Sequence, residues 1–388
     1  MDALELAEQK ITKYGAYTES EIWGQPDLWY KVYEKAVDES QALGSFLEVA
    51  ISNTNLNIVL TGAGSSAFIG LSLVGSYNRH LKKLTTAVST TDLVTHPLDF
   101  ISSDVPLLLI SFARSGNSPE SVAATVIADQ ICSKVYHLII TCDSTGSLAK
   151  IETKSSKYVF VLPIEANDKS LAMTGSYSGM LLTGLLIARL NTIRELKTQI
   201  NILHIYAKKL LNQADAFRKI AELNFERAVF LGSGPLNGTA TESHLKVQEL
   251  TDGRIICKKD SYLGFRHGPK VVINPNTLVF LLFSNQTYVF DYESDLLNEI
   301  IAGQKPLYIA GLIESDSLKV QPDKLFVLSD DGNKLDEDFL PVCFILPAQM
   351  IGYYKSLQMG LDPDKPSASG AISRVVKGVT IYPYKTQH

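Results

Sequence analysis

One pattern occurs twice in this chain and limits what it can fold into. A short apolar run ends in Gly-x-Gly, a helix-length segment follows, and further apolar runs recur at similar spacing. In the first half the runs are Ile58-Val59-Leu60, Leu107-Leu108-Leu109-Ile110, Leu138-Ile139-Ile140 and Val159-Phe160-Val161. In the second they are Val229-Phe230-Leu231, Val279-Phe280-Leu281-Leu282, Leu307-Tyr308-Ile309 and Phe326-Val327-Leu328. The Gly-x-Gly turns are Gly62-Ala63-Gly64 and Gly232-Ser233-Gly234. Such runs, bounded by turn residues, suit strands buried on both faces in a parallel sheet covered by helices. The expected fold class is α/β, a parallel sheet flanked by helices in three layers, present twice by internal duplication.

A chain of 388 residues exceeds the usual size of one core, which also predicts two domains. The expected division is an N-terminal helical segment over 1–44, a first domain over 45–211, and a second domain with a C-terminal tail over 212–388. Ala3, Leu4, Leu6, Ala7 and Ile11 form an apolar stripe at the start, and Pro26 suits the first turn of a later helix. A helical stretch is predicted from about Thr174 to Leu211, with Leu181, Leu182, Leu185, Leu186 and Leu190 as its apolar face. A second late helix is predicted from Phe339 to Leu357.

Charge excludes some partners. The formal net charge of −5 offers no basic footprint for nucleic acid, although local donors can still hold a small anion. Cys132, Cys142, Cys257 and Cys343 form no CxxC pair, and the histidines show no metal-ligand spacing, so neither a metal nor a cofactor is expected. Widely spaced cysteines, an N-terminus without a signal-like run and apolar runs of strand length predict a cytoplasmic protein without a membrane span.

Two turns could hold an anion. Gly62-Ala63-Gly64-Ser65-Ser66-Ala67 follows a strand and opens a helix. It formally matches the dinucleotide fingerprint, and Asp92 after a possible strand from Thr85 to Ser89 leaves that reading open on spacing. The hydroxyls of Ser65 and Ser66 suit a phosphomonoester better. The second turn is Arg114-Ser115-Gly116-Asn117-Ser118-Pro119-Glu120, where Ser118 suits an N-cap and Pro119 the first helical position. Free N–H groups at a helix start, with the helix dipole, attract phosphate. The bland alternative is a capped helix without a ligand.

Three further residues could move protons. Glu249 sits on a helix predicted from Asn237 to Asp252 and ended by Gly253. Partial burial would raise its pKa, whereas without other information it reads as a solvated helix-end glutamate. His267, in Arg266-His267-Gly268-Pro269, is accessible and positioned by backbone. Lys377 reads on composition alone as a surface lysine.

These motifs, in this order, resemble the sugar isomerase (SIS) family, specifically tandem-SIS proteins related to the isomerase domain of glucosamine-6-phosphate synthase. Within that group the chain is similar to AgaS-type enzymes of amino-galactose catabolism. The resemblance rests on Glu21-Ile22-x-x-Gln25-Pro26, Gly64-Ser65-Ser66, Arg114-Ser115-Gly116-Asn117-Ser118, Gln248-Glu249, Arg266-His267-Gly268-Pro269 and Lys377-Gly378-Val379-Thr380. It implies two tandem SIS domains acting on a hexose 6-phosphate. Gly64, Ser65, Ser66, Arg114, Ser115, Gly116 and Ser118 would bind the phosphate. Glu249 would move the proton between C1 and C2, His267 would open the ring, and Lys377 would lie near the open-chain sugar. It also implies a homodimer or homotetramer with shared active sites, since the related histidine acts from a neighbouring subunit.

Two departures stand out. Arg114 stands where the synthase has glutamine, and one serine of its loop is lost. Phe283-Ser284-Asn285-Gln286-Thr287 lacks the serine–glycine pattern, so the second copy is expected to have lost phosphate binding. Deamination of galactosamine 6-phosphate and simple ketose/aldose isomerisation share the same residues. A sugar-phosphate sensor and a dinucleotide-dependent oxidoreductase are the readings from other classes.

Overall fold

The apolar runs become strands. In Leu107–Ala113 and Val135–Thr141 every residue is buried, so neither strand could alternate between core and water. The computed structural model describes residues 14–385 apart from 304, 331, 376 and 377. The expected apolar stripe from Ala3 to Ile11 lies outside the described residues.

In chain order the first half contains α1 (Ala16–Trp23), α2 (Gln25–Asp38), α3 (Ser40–Ile51), β1 (Asn57–Gly62), α4 (Ser65–Leu81), β2 (Leu84–Ser89) and α5 (Thr90–Thr95). It continues with β3 (Leu107–Ala113), α6 (Pro119–Ile131), β4 (Val135–Thr141), α7 (Ser147–Lys150), β5 (Ser156–Val161), α8 (Gly175–Ala188) and α9 (Lys197–Leu211). The second half contains α10 (Ala214–Glu222), β6 (Arg227–Leu231), α11 (Pro235–Leu250), β7 (Ile256–Asp260), α12 (Tyr262–Phe265) and β8 (Thr277–Leu282). It ends with α13 (Thr287–Ala302), β9 (Tyr308–Ile313), β10 (Lys324–Val327), α14 (Leu340–Phe344) and α15 (Leu346–Gln358).

The ten strands form two five-stranded sheets flanked by helices. The first has the order β2-β1-β3-β4-β5, and the second, read from β7, has β7-β6-β8-β9-β10. Every pairing is parallel. The orders are therefore identical strand for strand, which is the duplication seen in the sequence. In each sheet the chain leaves the first strand to one side and returns to its other side. That reversal opens a crevice at the carboxyl ends of β1 and β3, and of β6 and β8.

The chain divides into two compact units. One comprises Leu28–Asn167, Gly175–Lys197 and the residues from Ile372 onward, and holds the first sheet. The other comprises the residues up to Asp27, Asp168–Thr174 and Thr198–Ala371, and holds the second sheet.

The stretch from Thr174 to Leu211 is not one amphipathic helix. Every residue of α8 is buried, so it has no solvent face. A 3-10 segment, Leu190–Leu196, with non-helical angles at Thr192, then separates α8 from α9. The late apolar stretch likewise divides into α14 and α15. No described helix is long and apolar enough to cross a membrane.

Candidate active site

In the first-sheet unit, both candidate anion turns lie at the carboxyl ends of neighbouring strands. β1 and β3 run side by side with Thr61 opposite Ser111, so residues 62–66 and 114–118 emerge together. Gly64 has φ 56° and ψ −129°, a conformation that favours glycine. A Cβ at Gly62 would fall 2.6 Å from the Ser66 carbonyl oxygen, so the strand-to-helix turn closes only on glycine. Ser65 and Ser66 are almost fully buried there.

The second turn is held from behind. Gly116 has φ 64°, its carbonyl accepts from the Leu148 N–H at 2.8 Å, and Asn117 Oδ1 accepts from the Ser147 N–H at 3.0 Å. A Cβ on Gly146 would lie 2.2 Å from the Ser115 carbonyl oxygen, so the two loops touch backbone to backbone. Ser118 takes the N-cap position before Pro119, as its sequence suggests, yet its side chain makes no capping bond. Ser115 Oγ accepts from the Asn117 N–H at 3.3 Å. The amides of Gly116 and Ser118 have no acceptor among the described residues. The result is a rigid loop that presents small hydroxyls and open amides at the start of a 13-residue helix.

The second-sheet unit carries the matching turn. Gly234 has φ 55° and ψ −127°, and a Cβ at Gly232 would lie 2.5 Å from the Leu236 carbonyl oxygen. Its other loop differs. The Ser284 N–H donates to Glu293 Oε2 at 2.7 Å, the Ser284 hydroxyl donates to Glu337, and Asn285 Nδ2 donates to Glu314 Oε2 at 2.8 Å. Donors that could face an anion are bound to carboxylates of the same unit.

Burial pushes the Glu293 carboxyl up to about 8, against the lowering effect of the Ser284 N–H and with a further upward push from Glu337. Its folded value lies above the ordinary 4.5, so its stabilising proton is fully retained below pH 4.5 and lost as pH rises through about 8. Glu293→Gln keeps an acceptor for Ser284 and removes the charge. Measured by denaturant midpoint from pH 5 to 9, the variant is expected to gain on the native protein as pH rises. The gain should reach roughly a few kcal/mol at alkaline pH, at about 1.4 kcal/mol per pKa unit. Parallel pH curves for the two proteins would refute this.

Glu249 lies in the last turn of α11. It is 18% exposed, and its Oε2 accepts from Lys246 Nζ at 2.6 Å. Lys246 is 1% exposed and also faces the fully buried Glu242 at 3.3 Å. Burial alone would lower the Lys246 pKa, but Glu242 and Glu249 together overcome this and raise it. Glu249 is therefore not a solvated helix-end residue. It belongs to a carboxylate–ammonium–carboxylate row. Sequence reading missed Lys246 and Glu242, although Glu242, Lys246 and Glu249 stand at i, i+4 and i+7 on one helix face. The row is covered because α15 packs closely on α11: a Cβ at Gly352 would lie 2.8 Å from Leu250 Cδ1 and 3.2 Å from the Lys246 carbonyl oxygen.

His267 is exposed in the turn after α12, where its N–H donates to the Gly264 carbonyl at 3.0 Å. Gly268 next to it has φ 110°. Glu299 on α13 accepts from Arg266 Nη1 at 2.7 Å and also pairs with Lys270, so both flanks of the histidine are fixed while its ring stays open to solvent. Glu249 and His267 occupy separate elements of the second-sheet unit. Lys377 lies outside the described residues. Among the described residues, no three His, Cys, Asp or Glu side chains are grouped to hold a metal ion.

Residues 50–189, which contain both anion turns, match the SIS domain family. D-galactosamine-6-phosphate deaminase AgaS of Shewanella sp. (strain ANA-3) is 38% identical over 384 residues, which is 98% of this chain and 95% of that protein. A solved structure from Clostridium novyi NT matches with a TM-score of 0.92 at 41% identity, covering 97% of this chain and 98% of that one. Tagatose-6-phosphate ketose/aldose isomerase from Escherichia coli matches with a TM-score of 0.86 at 36% identity, covering 95% and 97%. The chain belongs to the SIS-domain family, in the group of the AgaS proteins.

Proposed function

We propose that this protein is a sugar-phosphate deaminase/isomerase that converts galactosamine 6-phosphate to tagatose 6-phosphate and ammonia. The observation that carries the reading is the end-to-end kinship with D-galactosamine-6-phosphate deaminase AgaS. The rigid, hydroxyl-rich loops at the β1–β3 crevice support it, because a phosphate needs such donors.

In this reading Ser66, Ser115 and Ser118, with the amides of Ser65, Gly116 and Ser118, hold the 6-phosphate beside Gly64. His267 assists ring opening. Glu249 takes the C2 proton of the open-chain amino aldose, which gives an enolamine, and returns the proton at C1. The resulting C2 ketimine adds water and releases ammonia, leaving the ketose phosphate. Lys377 is the proposed partner of the oxyanion. Only proton transfers and water are required. The exposure of His267 supports a homodimer or homotetramer in which it serves a neighbouring subunit's site. Four free cysteines suit a cytoplasmic setting.

A second reading, isomerisation without deamination, is favoured by the likeness to tagatose-6-phosphate ketose/aldose isomerase from Escherichia coli. Two assays on the purified protein separate them. The deaminase releases one ammonia per tagatose 6-phosphate formed from galactosamine 6-phosphate. Isomerisation of tagatose 6-phosphate with no ammonia from the amino sugar selects the second reading. Inactivity in both assays removes the enzyme reading and leaves a sugar-phosphate sensor.

A further inference from the structure

Arg114 departs from the related synthase, and its side chain does something that loop membership alone does not explain. It is 7% exposed and directly follows β3. Its own backbone is fixed, since its carbonyl accepts from the Cys142 N–H at 3.2 Å and from the Thr141 hydroxyl at 3.4 Å. Its guanidinium reaches a segment remote in sequence: Nη2 donates to the carbonyl of Arg374, 260 residues later, at 2.9 Å.

Arg374 is tied down a second time. Its own Nη2 donates to Asn167 Oδ1 at 2.7 Å, just past the first sheet. It also faces Asp143 at the end of β4, whose carboxyl is held below its ordinary value first by hydrogen bonds from Thr145 and, more weakly, by Arg374. Ten residues further on, Tyr384 packs against the cluster containing Val59, Val88 and Leu109. The C-terminal segment is therefore attached to the first-sheet unit at two points, Arg374 and Tyr384. In sequence, Lys377 stands between them, three residues after Arg374.

We propose that Arg114 is a positioning residue: its guanidinium anchors the C-terminal segment at Arg374 to the same loop that holds the substrate's phosphate. Arginine suits this task because its planar fork is always charged and can hold a carbonyl acceptor across a part-buried contact. The loop's serines and amides take the anion, and one arginine donor holds the tail. The catalytic consequence rests on the functional reading above, whereas the anchoring does not.

The test compares the native protein with Arg114→Gln and, should that variant misfold, Arg114→Lys, which keeps the charge and loses the fork. Amide hydrogen exchange of residues 372–385 reads the anchor directly. Inorganic phosphate, titrated calorimetrically, reads the anion site. The expected result is exchange in that segment faster by about tenfold, the scale of one lost hydrogen bond, with phosphate affinity changed less than about threefold. With an active substrate, kcat should fall while KM stays within about threefold. Unchanged exchange in the segment overturns the proposal. So does a phosphate affinity that drops about tenfold or more, which would make Arg114 a phosphate ligand. If the native protein turns over neither sugar phosphate, the exchange result still decides whether Arg114 anchors the tail.

Discussion

Glu249→Gln is expected to lower turnover by about 10²-fold or more while the protein still binds inorganic phosphate. The amide keeps the shape of the carboxylate and can still accept from Lys246, so the helix end should persist. What it cannot do is take a proton. The proposed phosphate loops belong to the first-sheet unit and Glu249 to the second, so the change leaves those donors intact. Phosphate titration beside steady-state rates checks both halves. Turnover near that of the native protein would remove Glu249 from the chemistry. A matching loss of phosphate affinity would mean that the side chain acts on binding instead.

Lys246→Met should damage the fold more than any other single change discussed. Methionine matches the length of the lysine stem, but it takes the Lys246 ammonium away from Glu242, which is fully buried. Breaking a buried pair by removing one partner costs about 3–5 kcal/mol, because the remaining charge is stranded. Glu249 loses its partner as well, so any residual folded protein should also be slow. The double variant Lys246→Met with Glu242→Gln is expected to recover much of the stability, since it removes the stranded charge. Urea unfolding of the native, single and double proteins measures this. The Lys246 pKa is raised above the ordinary 10.5. Its contribution is thus complete below pH 10.5 and lost only as pH rises through the higher folded value. The loss in Lys246→Met should therefore be constant between pH 6 and 9. A single variant within about 1 kcal/mol of the native protein would refute the buried-row account.

The sequence made some of this architecture readable and hid the rest for physical reasons. Val229-Phe230-Leu231 and its counterparts stood out because a strand buried on both faces must be apolar throughout. The Gly-x-Gly turns stood out because only glycine fits where Ser66 and Leu236 approach. The edge strand β7, with the sequence Ile256-Cys257-Lys258-Lys259-Asp260, carried no such run, since its residues are only partly buried or exposed. The stretch through α8 resembled one long amphipathic helix because an all-round buried helix also contains a leucine stripe. Lys246 was unreadable for another reason. A lysine is ordinarily solvated, and its burial depends on Gly352, more than a hundred residues away, letting α15 close over it. A still longer separation in sequence hid the bond from Arg114 to Arg374. Ser118 was correctly placed at a helix start, but the missing capping bond is a matter of rotamer that no spacing rule reports.

The glutamates behind Ser284 and Asn285 make the two halves of the chain unequal in a way that resists reversal. Restoring serines to that loop would not reopen it. Three acids from separate places, Glu293, Glu314 and Glu337, now occupy its donors, and an incoming phosphate would have to displace them. Several substitutions would have to change together before any one of them helped. Divergence of the twin copies thus works as a ratchet that keeps this one loop closed, while Glu249 and His267 elsewhere in the same half are untouched by it.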